Sequence, residues 1–152
     1  MALSDWDPLT AVDQLRRLLG KPFDVAGLGP RETPFECVYS EGGMTLRRYK
    51  SRRAPKGPIL PIVPASINAA YIRNATPSVS VVQRCIEGNC RVYLVKWARP
   101  DSSGPNLGLD DYAGRLLVKC LDVIRAETIE QSVLLTGHSL GGTFAAICAA
   151  LH

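Results

Sequence analysis

Histidine is nearly absent from this sequence. His138 and His152 are the only two in 152 residues, so a histidine-rich metal centre is excluded. Long apolar runs are missing as well. Nothing approaches the ~20 residues of a membrane-spanning helix, and Met1 to Asp7 has neither the basic segment nor the apolar core of a secretory signal. The expectation is a cytoplasmic protein that does not enter a membrane. Cysteine is present but odd in number, and Cys37, Cys85, Cys90, Cys120 and Cys148 are scattered, which argues against a disulfide framework. Cys85 and Cys90 fit no usual zinc spacing and no second pair completes four ligands; neither metal nor cofactor is expected.

Strong charge imbalance is also lacking. Eighteen basic residues against 14 acidic give +4, too mild to demand a nucleic-acid partner. One cluster, Arg47, Arg48, Lys50, Arg52, Arg53 and Lys56, has the chemistry to meet an anionic substrate handle or surface. The simpler reading is a solvated strand edge and loop, whose cations discourage sheet-to-sheet aggregation. With 46% hydrophobic and 21% charged residues, the composition is that of an ordinary globular chain able to bury one core.

What is present is a sharp local pattern, Gly137-His138-Ser139-Leu140-Gly141. It follows an apolar β-like run, Ser132 to Thr136, and precedes a small-residue helical run, Gly142 to Ala150. A Gly-x-Ser-x-Gly between strand and helix is a nucleophile elbow. The turn is so tight that the serine is strained with its Oγ projecting, and glycines two residues either side remove side chains that would clash. The bare pattern is only fair evidence; the flanking strand and helix make it strong.

The rest of the chain alternates strands and helices. Asp7-Pro8 starts a short amphipathic helix carrying Leu9, Val12, Leu15, Leu18 and Leu19, ended by Gly20 and followed by the loop Gly27-Leu28-Gly29-Pro30. Phe35 to Tyr39 and Met44 to Lys50 read as a hairpin around Glu41-Gly42-Gly43. Then come a strand at Ile59 to Val63, a helix from roughly Ser78 to Glu87, a strand at Arg91 to Lys96, a helix near Asp110 to Ala126, and the elbow strand. Pro100 to Asn106 is a surface loop, and Asp110 and Asp111 read as helix-capping residues. A mostly parallel sheet with helices on both faces is expected: the amino-terminal half of an α/β-hydrolase fold, ending after the elbow helix. The expected division is 1–30 as an amino-terminal helix and loop and 31–152 as a partial α/β-hydrolase domain. Such an ending would leave the elbow strand as an apolar sheet edge.

An elbow serine needs a histidine base and a carboxylate, which on this scaffold follow it in sequence. Only 13 residues follow Ser139. His138 is its immediate neighbour, so the ring should diverge from Oγ, and turn packing is the expected role. His152 lies about 20 Å away along a helix at 1.5 Å per residue. Asp110 and Asp111 precede the serine, against the usual order. No triad is legible.

Several stretches together resemble polyhydroxyalkanoate synthases: Pro61 to Ile72 with its Ile67-Asn68 and Tyr71-Ile72, Val92 to Asp101 with Trp97 and Arg99-Pro100-Asp101, Asp110-Asp111-Tyr112, and the elbow with Gly142-Thr143. The resemblance runs from about Gly27 to the end. It implies an α/β-hydrolase-type enzyme that transfers hydroxyacyl groups from coenzyme A to a growing polyester. It also implies polyester granules as a location and a homo-oligomeric intact enzyme. That family uses an elbow cysteine, whereas this chain has Ser139. The family's Asp and His have no matching positions, so this chain alone is expected to be inactive.

The expected roles are Ser139 as nucleophile, the Leu140 N–H as one oxyanion donor, and a second donor from the loop Ala65 to Asn68 after the third strand, with Ile67 as the choice. Asn68 is expected to shape that loop. Ile67, Tyr71 and Ile72 are expected to pack in the core in preference to lining an acyl pocket. Three functions fit: a synthase-like acyltransferase fragment acting on hydroxyacyl-CoA, a serine esterase or lipase-type hydrolase acting on esters, and a non-catalytic module binding polyester or a synthase.

Overall fold

The computed structural model describes residues 31–51, 54–67, 73–76, 78–98, 107–128 and 132–152. The expected lead helix, the Gly27 to Pro30 loop, the Pro100 to Asn106 loop, Arg52, Arg53, Asn68, Tyr71 and Ile72 lie outside the described residues.

The main sheet has five strands: β1 (Phe35–Glu41), β2 (Met44–Tyr49), β3 (Ile59–Val63), β6 (Arg91–Trp97) and β7 (Thr136–Gly137), in the order β1-β2-β6-β3-β7. A two-stranded ribbon, β4 (Asn74–Thr76) with β5 (Val79–Ser80), stands apart from it. The sequence reading had no strands there. β1 and β2 form the expected hairpin, Glu41 facing Met44, with Gly43 at a φ of 94° in the turn, where a left-handed backbone favours glycine. β2 runs antiparallel to β6, whereas β3 runs parallel to both β6 and β7. The sheet is therefore mixed, with two antiparallel and two parallel pairings, because the hairpin's second strand joins β6 head to tail.

Alternation along β6 sorts the core into two layers. Tyr93, Val95 and Trp97 face one side with Met44, Leu46, Ile59 and Val63; Val92 and Leu94 face the other with Tyr49 and Ile62. The first layer is covered by α2 (Leu116–Thr128) and α3 (Leu140–Leu151), the second by α1 (Val81–Glu87). In α2 the buried residues Leu116, Leu117, Cys120, Leu121 and Ile124 recur along one stripe. Ser80 caps α1, its Oγ accepting from the Gln83 N–H at 2.9 Å. Buried Asn74 accepts at its Oδ1 from the hydroxyls of Thr33 and Ser80 at 2.8 Å each, and its Nδ2 donates to the Tyr49 hydroxyl of β2 at 3.5 Å, which ties the ribbon to the sheet.

Three expectations change. The expected helix from Asp110 runs through a π-helical turn, Asp111–Arg115, into α2, and Asp110 makes no side-chain cap. Asp111 does the capping, accepting from the Gly108 N–H at 3.0 Å and pairing with Arg115. β2 is an interior strand, so Arg47 and Arg48 of the basic cluster do not sit on a sheet edge. Arg47 is buried there, bonded to Glu32 at 2.7 Å with its guanidinium 4.0 Å over the Phe35 ring. β7 is shorter than the expected strand: only Thr136–Gly137 pair, although the Leu134 N–H still reaches the Ile59 carbonyl at 2.8 Å. Among the described residues β7 has β3 on one side and no strand on the other.

Where α2 meets the sheet, buried Tyr93 donates its hydroxyl to Glu127 Oε2 at 2.9 Å, and Arg48 holds the other oxygen at 3.1 Å. Burial first, then the bonded carboxylate, pushes the Tyr93 phenol from 10.0 up to about 12. A raised phenol pKa favours folding below the unfolded value, and that contribution is lost as pH climbs through the folded one. Stability should therefore fall between pH 10 and about 12. Tyr93→Phe should flatten that part of the urea-melt profile; an identical profile in the variant would refute the assignment.

Candidate functional site

The strand–turn–helix at Gly137 to Gly142 is built by close backbone approach. Ser139 has φ 55° and ψ −133°, a left-handed conformation that costs a non-glycine residue about 1–3 kcal/mol and persists only where its surroundings enforce it. The enforcement is visible on both sides. The His138 N–H donates to the Val63 carbonyl at 3.2 Å, while the Gly142 N–H donates back to the Ser139 carbonyl at 2.8 Å. A Cβ on Gly137 would collide with the carbonyl of Gly141, and one on Gly141 would collide with Val63 O and lie 2.6 Å from Pro64 O. The two flanking glycines are thus required by contact.

The parallel pairing of β3 with β7 brings their carboxyl ends to one edge of the sheet, Val63 opposite Gly137. The chain leaving β3, Pro64 to Ile67, and the chain leaving β7, Ser139-Leu140, consequently emerge at the same end. Leu140 opens α3, so its N–H is among those a helix start leaves without an intrahelical partner. Ile67 is 79% exposed, which overturns core packing for that residue. Behind the turn, Trp97 meets Tyr112 edge-on at 5.0 Å, and Tyr112 stacks on Phe144 of α3 at 5.2 Å. The Trp97 indole N–H donates to the Pro64 carbonyl at 2.9 Å.

Proton-transfer partners are not assembled here. Among the described residues no side chain hydrogen-bonds the Ser139 hydroxyl. His138 is exposed and acts in the turn through its backbone N–H, so turn packing of its ring is not seen. His152 is exposed at the far end of α3. Asp111 is committed to the Gly108 N–H and Arg115, which together hold its carboxyl below the usual carboxylate range. Nor does a thiol substitute: burial pushes Cys120 up to about 12 and also raises Cys148 and Cys85, away from thiolate chemistry. No three His, Cys, Asp or Glu side chains among the described residues gather as a metal-binding group. No described helix is long and apolar enough to cross a membrane. A cavity of about 920 Å³ lined by Thr33, Pro34, Gln83, Ile86 and Asn89 includes none of the elbow residues.

What sequence reasoning missed is the Pro64 carbonyl, shared between Trp97 and the space kept open by Gly141. Only the Trp97 position itself was visible, as one mark of the resemblance.

No protein-family model matches the chain. Curated proteins do. The poly(3-hydroxyalkanoate) polymerase subunit PhaC of Haloferax mediterranei is 36% identical over 142 residues, 92% of this chain and 29% of that protein. That of Allochromatium vinosum is 32% identical over 123 residues, 79% of this chain and 35% of that protein. That of Cupriavidus necator is 31% identical over 108 residues, 70% of this chain and 18% of that protein. With this fold and these matches, the chain belongs to the polyhydroxyalkanoate synthase family. It spans about a third or less of the length of these relatives.

The elbow contacts separate two glycines that look alike in sequence. Gly141→Ala should destabilise the protein by about 3 kcal/mol through backbone collision. Gly142→Ala should be neutral or stabilising by up to about 1 kcal/mol, since its nearest neighbour sits at 3.4 Å and alanine is the better helix former. Urea melts of the two variants decide; equal effects would refute the contact argument.

Proposed function

We propose that this chain carries the nucleophile-elbow part of an α/β-hydrolase-type acyltransferase that moves hydroxyacyl groups from coenzyme A to a polyester chain. The observation that carries this is Ser139 itself: a left-handed serine wedged between two glycines that contact forbids to be anything larger. The sheet order supports it too. Counted within the main sheet, the strands run first, second, fourth, third, fifth, with the serine turn after the fifth. Residues 31–152 would then be part of one hydrolase-type domain, with 1–30 as a segment preceding it.

In this reading the Ser139 Oγ attacks the thioester carbonyl carbon and its proton passes to a general base. The developing oxyanion accepts from the Leu140 N–H and from a donor in the loop after β3, for which Ile67 is the choice. Collapse breaks the carbon–sulfur bond, coenzyme A leaves with the proton, and the acyl group remains as a Ser139 ester. A hydroxyl at the end of a polyester chain then displaces Ser139, lengthening the polymer by one unit. The relatives named as polymerases support this substrate class, and a granule surface is the matching location. A second reading, an esterase acting through water, is favoured by the serine hydroxyl, because an oxygen ester passes its acyl group on less readily than a thioester.

With no base among the described residues held against Ser139, this chain should turn over p-nitrophenyl esters and 3-hydroxybutyryl-coenzyme A near background, with wild type and Ser139→Ala alike. Joined to the carboxy-terminal part of a relative that supplies acid and base, turnover should appear and fall by about 10⁴ or more in Ser139→Ala. In that chimera Ser139→Cys should raise insoluble polyester relative to free hydroxyacid. A serine chimera that hydrolyses esters while the cysteine form makes no polyester would replace the transferase reading by the hydrolase one.

A further inference from the structure

Trp97 ends β6 with only 5% of its surface exposed, and its single polar atom is spent on the carbonyl of Pro64 at 2.9 Å. Pro64 is buried as well, so this acceptor has no solvent alternative. The residue before it is equally committed: the Val63 carbonyl takes the His138 N–H at 3.2 Å. Both carbonyls also bound the space that Gly141 leaves empty. The peptide leading from β3 into Ala65, Ser66 and Ile67 is therefore held from two sides, by the indole and by the serine turn.

A peptide plane fixed at its carbonyl is fixed at its N–H. We propose that Trp97 is a positioning residue: by holding the Pro64 carbonyl it fixes the Ala65 N–H in the same peptide plane, and with it the course on which the chain leaves for Ile67 relative to Ser139. The inference rests on the reading above, in which that loop supplies an oxyanion donor. Its aromatic neighbours play a different part. Tyr112 and Phe144 hold the indole in place by ring contact, but among the described residues neither donates to the loop.

The test removes the indole N–H while keeping the ring. Trp97→Phe, and replacement of Trp97 by benzothienylalanine, in which sulfur stands for the N–H, are compared with Phe144→Leu, which loosens the cluster and leaves the donor. Amide hydrogen exchange at 65–67 should rise about 10-fold in both Trp97 replacements, the equivalent of one lost hydrogen bond, and stay unchanged in Phe144→Leu. In the chimera that supplies acid and base, the rate at which a p-nitrophenyl phosphonate labels Ser139 should fall by a similar factor in the Trp97 replacements only. The benzothienyl variant decides where Trp97→Phe does not fold. Unchanged exchange at 65–67 in the benzothienyl protein, or the same rise in Phe144→Leu, overturns the proposal. In that chimera, labelling of the serine protein no faster than of Ser139→Ala would refute the nucleophile reading, while the exchange measurement on this chain still decides whether Trp97 holds the loop.

Discussion

The approach of Gly141 to the backbone of Val63 and Pro64 is the contact on which the rest of this end of the molecule depends. α3 can seat its first turn against the end of β3 only because Gly141 has no Cβ. That seating places the His138 N–H on the Val63 carbonyl, and the chain between them must then reverse within one residue. Ser139 takes the left-handed conformation as a consequence. The strain at the serine is thus imposed by helix–strand packing, the kind of over-determination that allows an unfavourable backbone to persist.

The helices on that face are held by a hydrophobic layer that the sheet alternation creates. Phe144 and Cys148 of α3 bury against the same cluster as Val63, Val95 and Trp97, so the helix that constrains Ser139 is anchored well beyond its first turn. Tyr112, stacked on Phe144, carries the π-helical turn into the same cluster. Asp111 and Arg115 on that turn are linked to each other, and Arg115 also pairs with Glu41 at the end of β1. These ion pairs are exposed and individually weak; the aromatic contacts and the helix stripe are the stronger restraints.

Much of this was legible in the sequence because it is governed by local pattern. The Glu41-Gly42-Gly43 turn, the alternation in β6 and the Gly-x-Ser-x-Gly between apolar strand and small-residue helix each encode their own geometry. The misreadings fall where a distant contact decides. Arg47 looks like a surface cation until Glu32 and Phe35 enclose it. Asp110 and Asp111 are equivalent as caps until the backbone of Gly108 selects the second. The apolar run before the serine turn looks like a five-residue strand, yet among the described residues β7 has a ladder on one side only, and only Thr136–Gly137 pair regularly. Loop residues were hardest. The exposure of Ile67 follows from where the chain leaves β3, which no periodicity in Pro64 to Ile67 encodes.

The serine at the turn has a chemical consequence that the fold does not soften. A cysteine there would need only a modest fall in pKa to become a thiolate, and the start of α3 is an electrostatic setting that favours one. A serine hydroxyl ionises too weakly for a helix terminus to suffice, so it depends on a base that takes its proton during attack. The buried thiols nearby, Cys120 and Cys148, lie in apolar packing that raises their pKa. If Ser139 is the nucleophile proposed above, turn geometry and reactivity are therefore separable: contact with β3 fixes the first, and the second waits on a proton acceptor reaching the Ser139 hydroxyl.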